Sequence, residues 1–205
     1  MNGEAMIESA PMAPRAKPLL KDVAEQKAFE DQVKSLLAAC YSNLGVITAM
    51  DKNYVAAAEY FEQAARWNQA LRGLDHNWGR AAFAAQQYAQ AVGPLSRFVQ
   101  EHPEDVEARS MLGMSQYMTR DYEKALQTLR PIETQVSAVP SLAFAYADSL
   151  AKTGDFGHGI ERLRGLEQAD PENKAIHQAL AEAYRKNSQP AEAEREAKLA
   201  ETLAE

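Results

Sequence analysis

From Leu19 to the C-terminus, apolar residues recur at the three- and four-residue spacing of helices. No stretch alternates apolar and polar positions for more than a few residues. The pattern predicts helices joined by short turns, without strands. It also repeats. Gly45, Gly79 and Gly113 lie 34 residues apart, and the same step continues to Ala147 and Ala181. Twelve residues further on, the step links Ala57, Ala91, Ala125, Gly159 and Ala193. All ten places are Gly or Ala, a coincidence of about one in a million by chance. Tyr54, Tyr88, Tyr122 and Phe156 follow the same step, which breaks at Pro190, and Pro103 and Pro171 lie two steps apart. Five repeats follow without insertion: 38–71, 72–105, 106–139, 140–173 and 174–205.

Each repeat reads as a hairpin of helices A and B. A small residue at Gly45 or Ala57, and at their equivalents, lets the two helices approach closely. The aromatic at Tyr54 opens helix B and plugs the corner of the hairpin. Leu44, Trp78, Leu112, Tyr146 and Leu180 are expected to face inward from helix A. Phe61, Leu95, Leu129 and Leu163 extend that stripe on helix B. One hairpin cannot bury its apolar face alone, so the stack is the folding unit.

These residues resemble the tetratricopeptide repeat (TPR) family, whose pattern is W-x2-L-G-x2-Y…A-x3-F…P. The first repeat supplies Tyr41-x2-Leu44-Gly45, then Ala57-x3-Phe61 and Ala64, with Thr48 and Gln69 departing from the pattern. The second keeps Gly79, Ala91 and Pro103, the third Leu112, Gly113 and Ala125, and the fifth Leu180, Tyr184 and Ala193. The fourth is degenerate, with Ala147 and Gly159 in the small places. The resemblance implies an all-α, right-handed superhelical solenoid of antiparallel hairpins.

The ends and the breakers qualify this picture. Residues 1–18, with Pro11, Pro14 and Pro18 and no periodicity, read as a flexible leader. Residues 19–37 are expected to form a helix that runs into the first repeat. There Leu20, Val23, Phe29, Val33 and Leu36 would form a stripe covering the open end of the stack. Ala191–Ala204 is expected to be a solvated end cap. Pro94 and Pro131 fall inside B helices, and Gly157, Gly159 and Gly165 thin out helix B of the fourth repeat. A kink or early opening is expected at these places.

Composition narrows the chemistry. The chain has 205 residues, 38 of them Ala, and a net charge of -7, which argues against binding nucleic acid. The single cysteine, Cys40, excludes an internal disulfide and is expected to be a buried small hydrophobe. There is no run of 18 apolar residues, so no membrane insertion is expected. The acidic N-terminus lacks the apolar region of a secretory signal. A cytoplasmic location is expected, or an exported or periplasmic one if the chain is a processed fragment. His76, His102, His158 and His177 stand far apart in sequence and form no metal-ligand pair, and His102 and His158 are expected on the surface. Gly113-Met114-Ser115-Gln116-Tyr117 lacks the second glycine of a nucleophile elbow. Gly154, Gly157 and Gly159 do not reproduce a dinucleotide loop. No catalytic residue, cofactor or metal is expected, and the chain reads as a non-enzyme.

The resemblance implies instead a concave groove lined by the A helices. Its candidate residues are Met50, His76, Arg80, Phe83, Met114, Tyr117, Met118, Phe144 and Lys152. The middle is apolar and soft, the far end polar, as suits an apolar peptide or amphipathic helix. Phe83, Met114, Tyr117 and Phe144 would bury anchors, while Arg80 and Lys152 would orient polar groups. The same side chains equally suit packing between neighbouring A helices. A leader folding back through Met6, Ile7 and Met12 is a further occupant. The carboxylate clamp of chaperone-binding TPR proteins is absent: its places hold Ser42, Val46, Asn77, Glu107 and Met111, and only Asn77 agrees. The expected function is a protein-interaction module or assembly scaffold with a protein or peptide partner. The alternatives are a homodimer paired through the stack ends and the interaction arm of a larger protein.

Overall fold

The computed structural model describes residues 23–203. Its helices are α1 (Val23–Met50), α2 (Tyr54–Trp67), α3 (Leu74–Ala84), α4 (Tyr88–Glu101), α5 (Val106–Met118), α6 (Tyr122–Leu129), α7 (Glu133–Ser137), α8 (Pro140–Lys152), α9 (Phe156–Ala169), α10 (Lys174–Lys186) and α11 (Pro190–Thr202). A single 3₁₀ turn, Arg130–Ile132, separates α6 from α7. No strand occurs among the described residues. Successive helices pack as antiparallel neighbours, and α1, α3, α5, α8 and α10 also touch in series. No pair of B helices makes comparable contact, so the A helices form the inner layer of a curved stack.

The hairpins close on a small-to-large contact repeated at the 34-residue step. A Cβ at Gly45 would lie 2.7 Å from Phe61, one at Gly79 2.6 Å from Leu95, and one at Gly113 2.4 Å from Leu129. All three large partners are fully buried, as is Leu163 sixteen residues after Ala147. Gly159 meets backbone instead: its Cβ would lie 2.8 Å from the Ala151 amide nitrogen. Each A–B turn then reverses through one left-handed residue. These are Lys52 (φ 61), Gln86 (φ 59), Arg120 (φ 65), Gly154 (φ 98) and Ser188 (φ 58), again one step apart. The following amide closes back on helix A, as from Asn53 to Thr48 O and from Asp121 to Gln116 O. This is the Schellman ending, in which a left-handed residue satisfies the last carbonyls of a helix.

Several expectations are revised. The helix preceding the first repeat exists, but its apolar stripe covers nothing: Val23, Phe29, Val33 and Leu36 are exposed, and so are Leu44 and Cys40. No described hairpin precedes α1, so the side of this helix turned away from α2 has no described neighbour to bury it. Leu20 and the leader lie outside the described residues. Pro131 does break its helix, through the 3₁₀ turn, yet Ile132 and Val136 beyond it remain in the core. By contrast α4 runs unbroken through a buried Pro94, and α9 through its three glycines. The last helix is not wholly solvated, because Glu196 is fully buried. The absence of an uninterrupted apolar run also understated α1, which is long and apolar enough to cross a membrane by length and composition. Inside the stack, Ala38 and Gly45 of the same helix are buried.

Candidate interaction groove

A recess lies near each end of the described stack. Between α1 and α3, Val46, Ala49, Met50, Tyr54, Asn77 and Arg80 are among the residues enclosing about 360 Å³. Met50 is 77% exposed there, a large apolar side chain with water on most of its surface. At the other end, α10 and α11 enclose about 750 Å³ lined by Lys174, Gln178, Glu182, Arg185, Lys186 and Glu201. One end therefore offers apolar surface beside a cation, and the other offers charge.

Between them the predicted anchors serve largely as floor. Phe83 is half-buried, packs on the N-terminal core and meets Tyr88 edge-on at 5.7 Å. One step later Tyr117 meets Tyr122 at 5.8 Å in a tilted contact, and Phe144 edge-on at 6.3 Å. Met114 packs on the middle core and Phe144 on the C-terminal one. Met118, by contrast, is exposed. His76 lies outside the recess and stacks on Phe98 at 4.6 Å. The packing follows from the short side-by-side spacing of A helices, which brings long side chains of one repeat against the next.

Polar rungs cross the same surface. Arg80 reaches Glu107 of the next repeat at 3.7 Å. The Tyr117 hydroxyl donates to Asp148 Oδ2 at 2.9 Å, and the Lys152 ammonium donates to Glu182. Lys186 joins Glu182 at 3.0 Å. Burial, reinforced by the Asp148 charge, pushes the Tyr117 phenol well above its ordinary range. Burial also raises the Asp148 carboxyl, although Lys152 and Tyr117 oppose it. The hydrogen bond from Lys152 chiefly holds Glu182 low. Lys152 is thus engaged inside the protein, whereas Arg80 keeps a long, half-exposed contact.

One arrangement near the C-terminus has no signature along the chain. His177, 3% exposed at its side chain, faces Glu196 Oε2 at 2.7 Å through Nδ1. Its Nε2 faces the Pro171 carbonyl at 2.9 Å, and Glu167 stands 4.0 Å away. These three side chains bring ligand-type atoms within 4.8 Å of one another. Both ring nitrogens face acceptors, an arrangement that favours the charged imidazolium and raises its pKa despite burial. Arg195 completes the set, donating to Glu196 Oε1 through Nε at 3.1 Å. The pairing spans nineteen residues, His177 to Glu196, which no local motif records.

Comparison with known proteins places these features. A family model for the tetratricopeptide repeat matches residues 76–136. No curated protein matches the chain. Among solved structures, MamA of MSR-1 superimposes with a TM-score of 0.66 at 19% identity, covering 81% of this chain and 95% of that one. MamA from Desulfovibrio magneticus RS-1 gives 0.62 at 19% identity, covering 81% and 94%. YrrB, described as a TPR protein with an unusual peptide-binding site, gives 0.63 at 15% identity, covering 85% and 89%. At these identities the likeness is one of fold.

Proposed function

Because the chain is a tetratricopeptide-repeat protein, we propose that it is a non-catalytic interaction module that holds an apolar peptide or amphipathic helix against its concave face. The observation that carries this reading is the recess between α1 and α3, where exposed Met50 and Val46 stand beside the half-exposed Arg80. An apolar anchor entering there leaves water, and Arg80 orients a carbonyl or carboxylate on the same segment. Phe83, Met114, Tyr117 and Phe144 form the rigid floor along which the rest of the segment lies. The peptide-binding site named for YrrB supports the class of ligand, though not its sequence.

Panning a displayed peptide library on the wild type and on Arg80→Glu/Ala84→Glu tests the reading. Both substitutions lie on exposed α3 positions, so the core is left intact. The wild type should enrich sequences with apolar residues three or four apart. The double variant should bind them roughly tenfold more weakly or worse, a loss of ~1.4 kcal/mol. Equal binding by both proteins would move the working surface off the concave face.

A further inference from the structure

The apolar stripe of α1 does not stop where the stack begins. Phe29, Val33, Leu36, Cys40, Ile47 and Met50 follow one another at alternating steps of three and four, with Gln26 and Asn43 filling the two polar places. In heptad terms Gln26, Val33, Cys40 and Ile47 occupy one core position, and Phe29, Leu36, Asn43 and Met50 the other. Every one of these positions is exposed; Leu36 is 64% and Ile47 58% accessible to water. The seam thus runs unbroken from the projecting segment, residues 23–37, onto the docked part of the same helix, a span of about 36 Å. Ala38 and Gly45, which do face the stack, fall outside it.

A projecting helix of this length is marginal in water without a partner. Every residue from 23 to 36 is exposed, and no described element packs on that face. The 3.5-residue period calls for another helix lying along it, and the sequence is complementary to itself. We propose that α1 pairs antiparallel with α1 of a second copy, about a two-fold axis at Ala38. In that register Leu36 meets Cys40, Phe29 meets Ile47, Val33 meets Asn43, and Met50 covers Gln26 at each end. Charge selects the direction. Parallel helices would set Glu25 beside Glu30 of the second copy, whereas the antiparallel register puts Glu30 beside Leu44 and Glu25 past the end of the partner helix at Met50. The interface is isologous and closes at two copies. The seam takes up Met50, which also lines the recess between α1 and α3, while Arg80 stays on the groove side, so pairing and peptide binding share that one residue.

Light scattering on the full chain over a dilution series is the test. The expected mass is about 45 kDa, twice the 22.6 kDa chain, falling to the single-chain value on dilution. Leu36→Glu, at an exposed position, should hold the protein at the single-chain mass while the melting of the stack is unchanged. In a Cys40→Ser background, mixing Phe29→Cys with Ile47→Cys under mild oxidation should give the mixed disulfide dimer. A single-chain mass at every concentration would overturn the proposal, as would a dimer that Leu36→Glu leaves intact. Self-crosslinking of Phe29→Cys alone in place of the mixed product would overturn the antiparallel register. If the chain stays monomeric but co-sediments with phosphatidylcholine–phosphatidylglycerol vesicles, and Leu36→Glu abolishes that, the face belongs to lipid and the pairing fails.

Discussion

Three glycines in α9 look alike in sequence and differ in what surrounds them. A Cβ at Gly157 or Gly165 would meet nothing within 4 Å. At Gly159 it would strike the Ala151 backbone, which cannot turn away as a side-chain tip would. Gly157→Ala should therefore stabilise the protein by up to about 1 kcal/mol, the helix-propensity difference between the two residues. Gly159→Ala should destabilise it by roughly 1–3 kcal/mol, as overpacked sites do. Urea unfolding of the two variants measures both signs; equal effects would mean that α8 and α9 are further apart than described. The same reasoning explains the left-handed turn residues. Only Gly154 announces its conformation, while Lys52, Gln86, Arg120 and Ser188 adopt it because the Schellman closure of each hairpin requires it.

Among the helices, α10 and α11 are joined by a charge cluster in which pH becomes a variable. Burial draws the His177 imidazole down, but its bonds to the Pro171 carbonyl and Glu196, with the charge of Glu167, outweigh that and leave it raised. Burial likewise pushes Glu196 up, yet His177 and Arg195 hold it below the usual carboxylate range. A raised histidine stabilises the fold fully below its unfolded pKa of about 6.5, and that contribution is lost as pH rises through the folded value. A lowered glutamate stabilises above about 4.3 and fails as pH falls through its folded value. The fifth repeat should therefore be most secure between those limits and loosen first on the alkaline side. The melting temperature should fall between pH 6 and 9 by roughly 2–4 °C per kcal/mol lost, and His177→Gln should flatten that slope. An unchanged slope in the variant would assign the pH dependence to other groups.

Across the whole molecule the core is not one body. Buried residues gather into an N-terminal cluster from Ala57 to Leu112, a middle one from Leu126 to Leu150, and a C-terminal one from Ala147 to Ala193. The 3₁₀ turn at Pro131 lies in the middle cluster. Coupling in such a stack passes only between neighbours. Leu180→Ala, which empties a fully buried place, should cost about 2–5 kcal/mol. Hydrogen exchange should then show lost protection in α8–α11, with α2–α4 nearly unaffected. Uniform loss along the chain would mean that the repeats unfold as one unit.

The amino-acid pattern by itself determined the 34-residue period, the hairpins, and the small places at which helices A and B approach. Those features follow from contacts within a repeat, where spacing along the chain is spacing in space. It also made the A helices the inner layer through the family resemblance. Which apolar faces are covered was decided only by the tertiary structure. Leu112 and Leu44 hold the same repeat position, yet one is buried and the other exposed, because one has a preceding hairpin and the other stands at the end of the stack. Periodicity states which side of a helix avoids water, and cannot state whether a neighbour is there to exclude it. The packing of Phe83 on the N-terminal core, that of Tyr117 against Tyr122 and Phe144, and the meeting of His177 with Glu196 belong to the same class. They rest on contacts between elements, whose distances the folded stack sets and the linear order of residues does not.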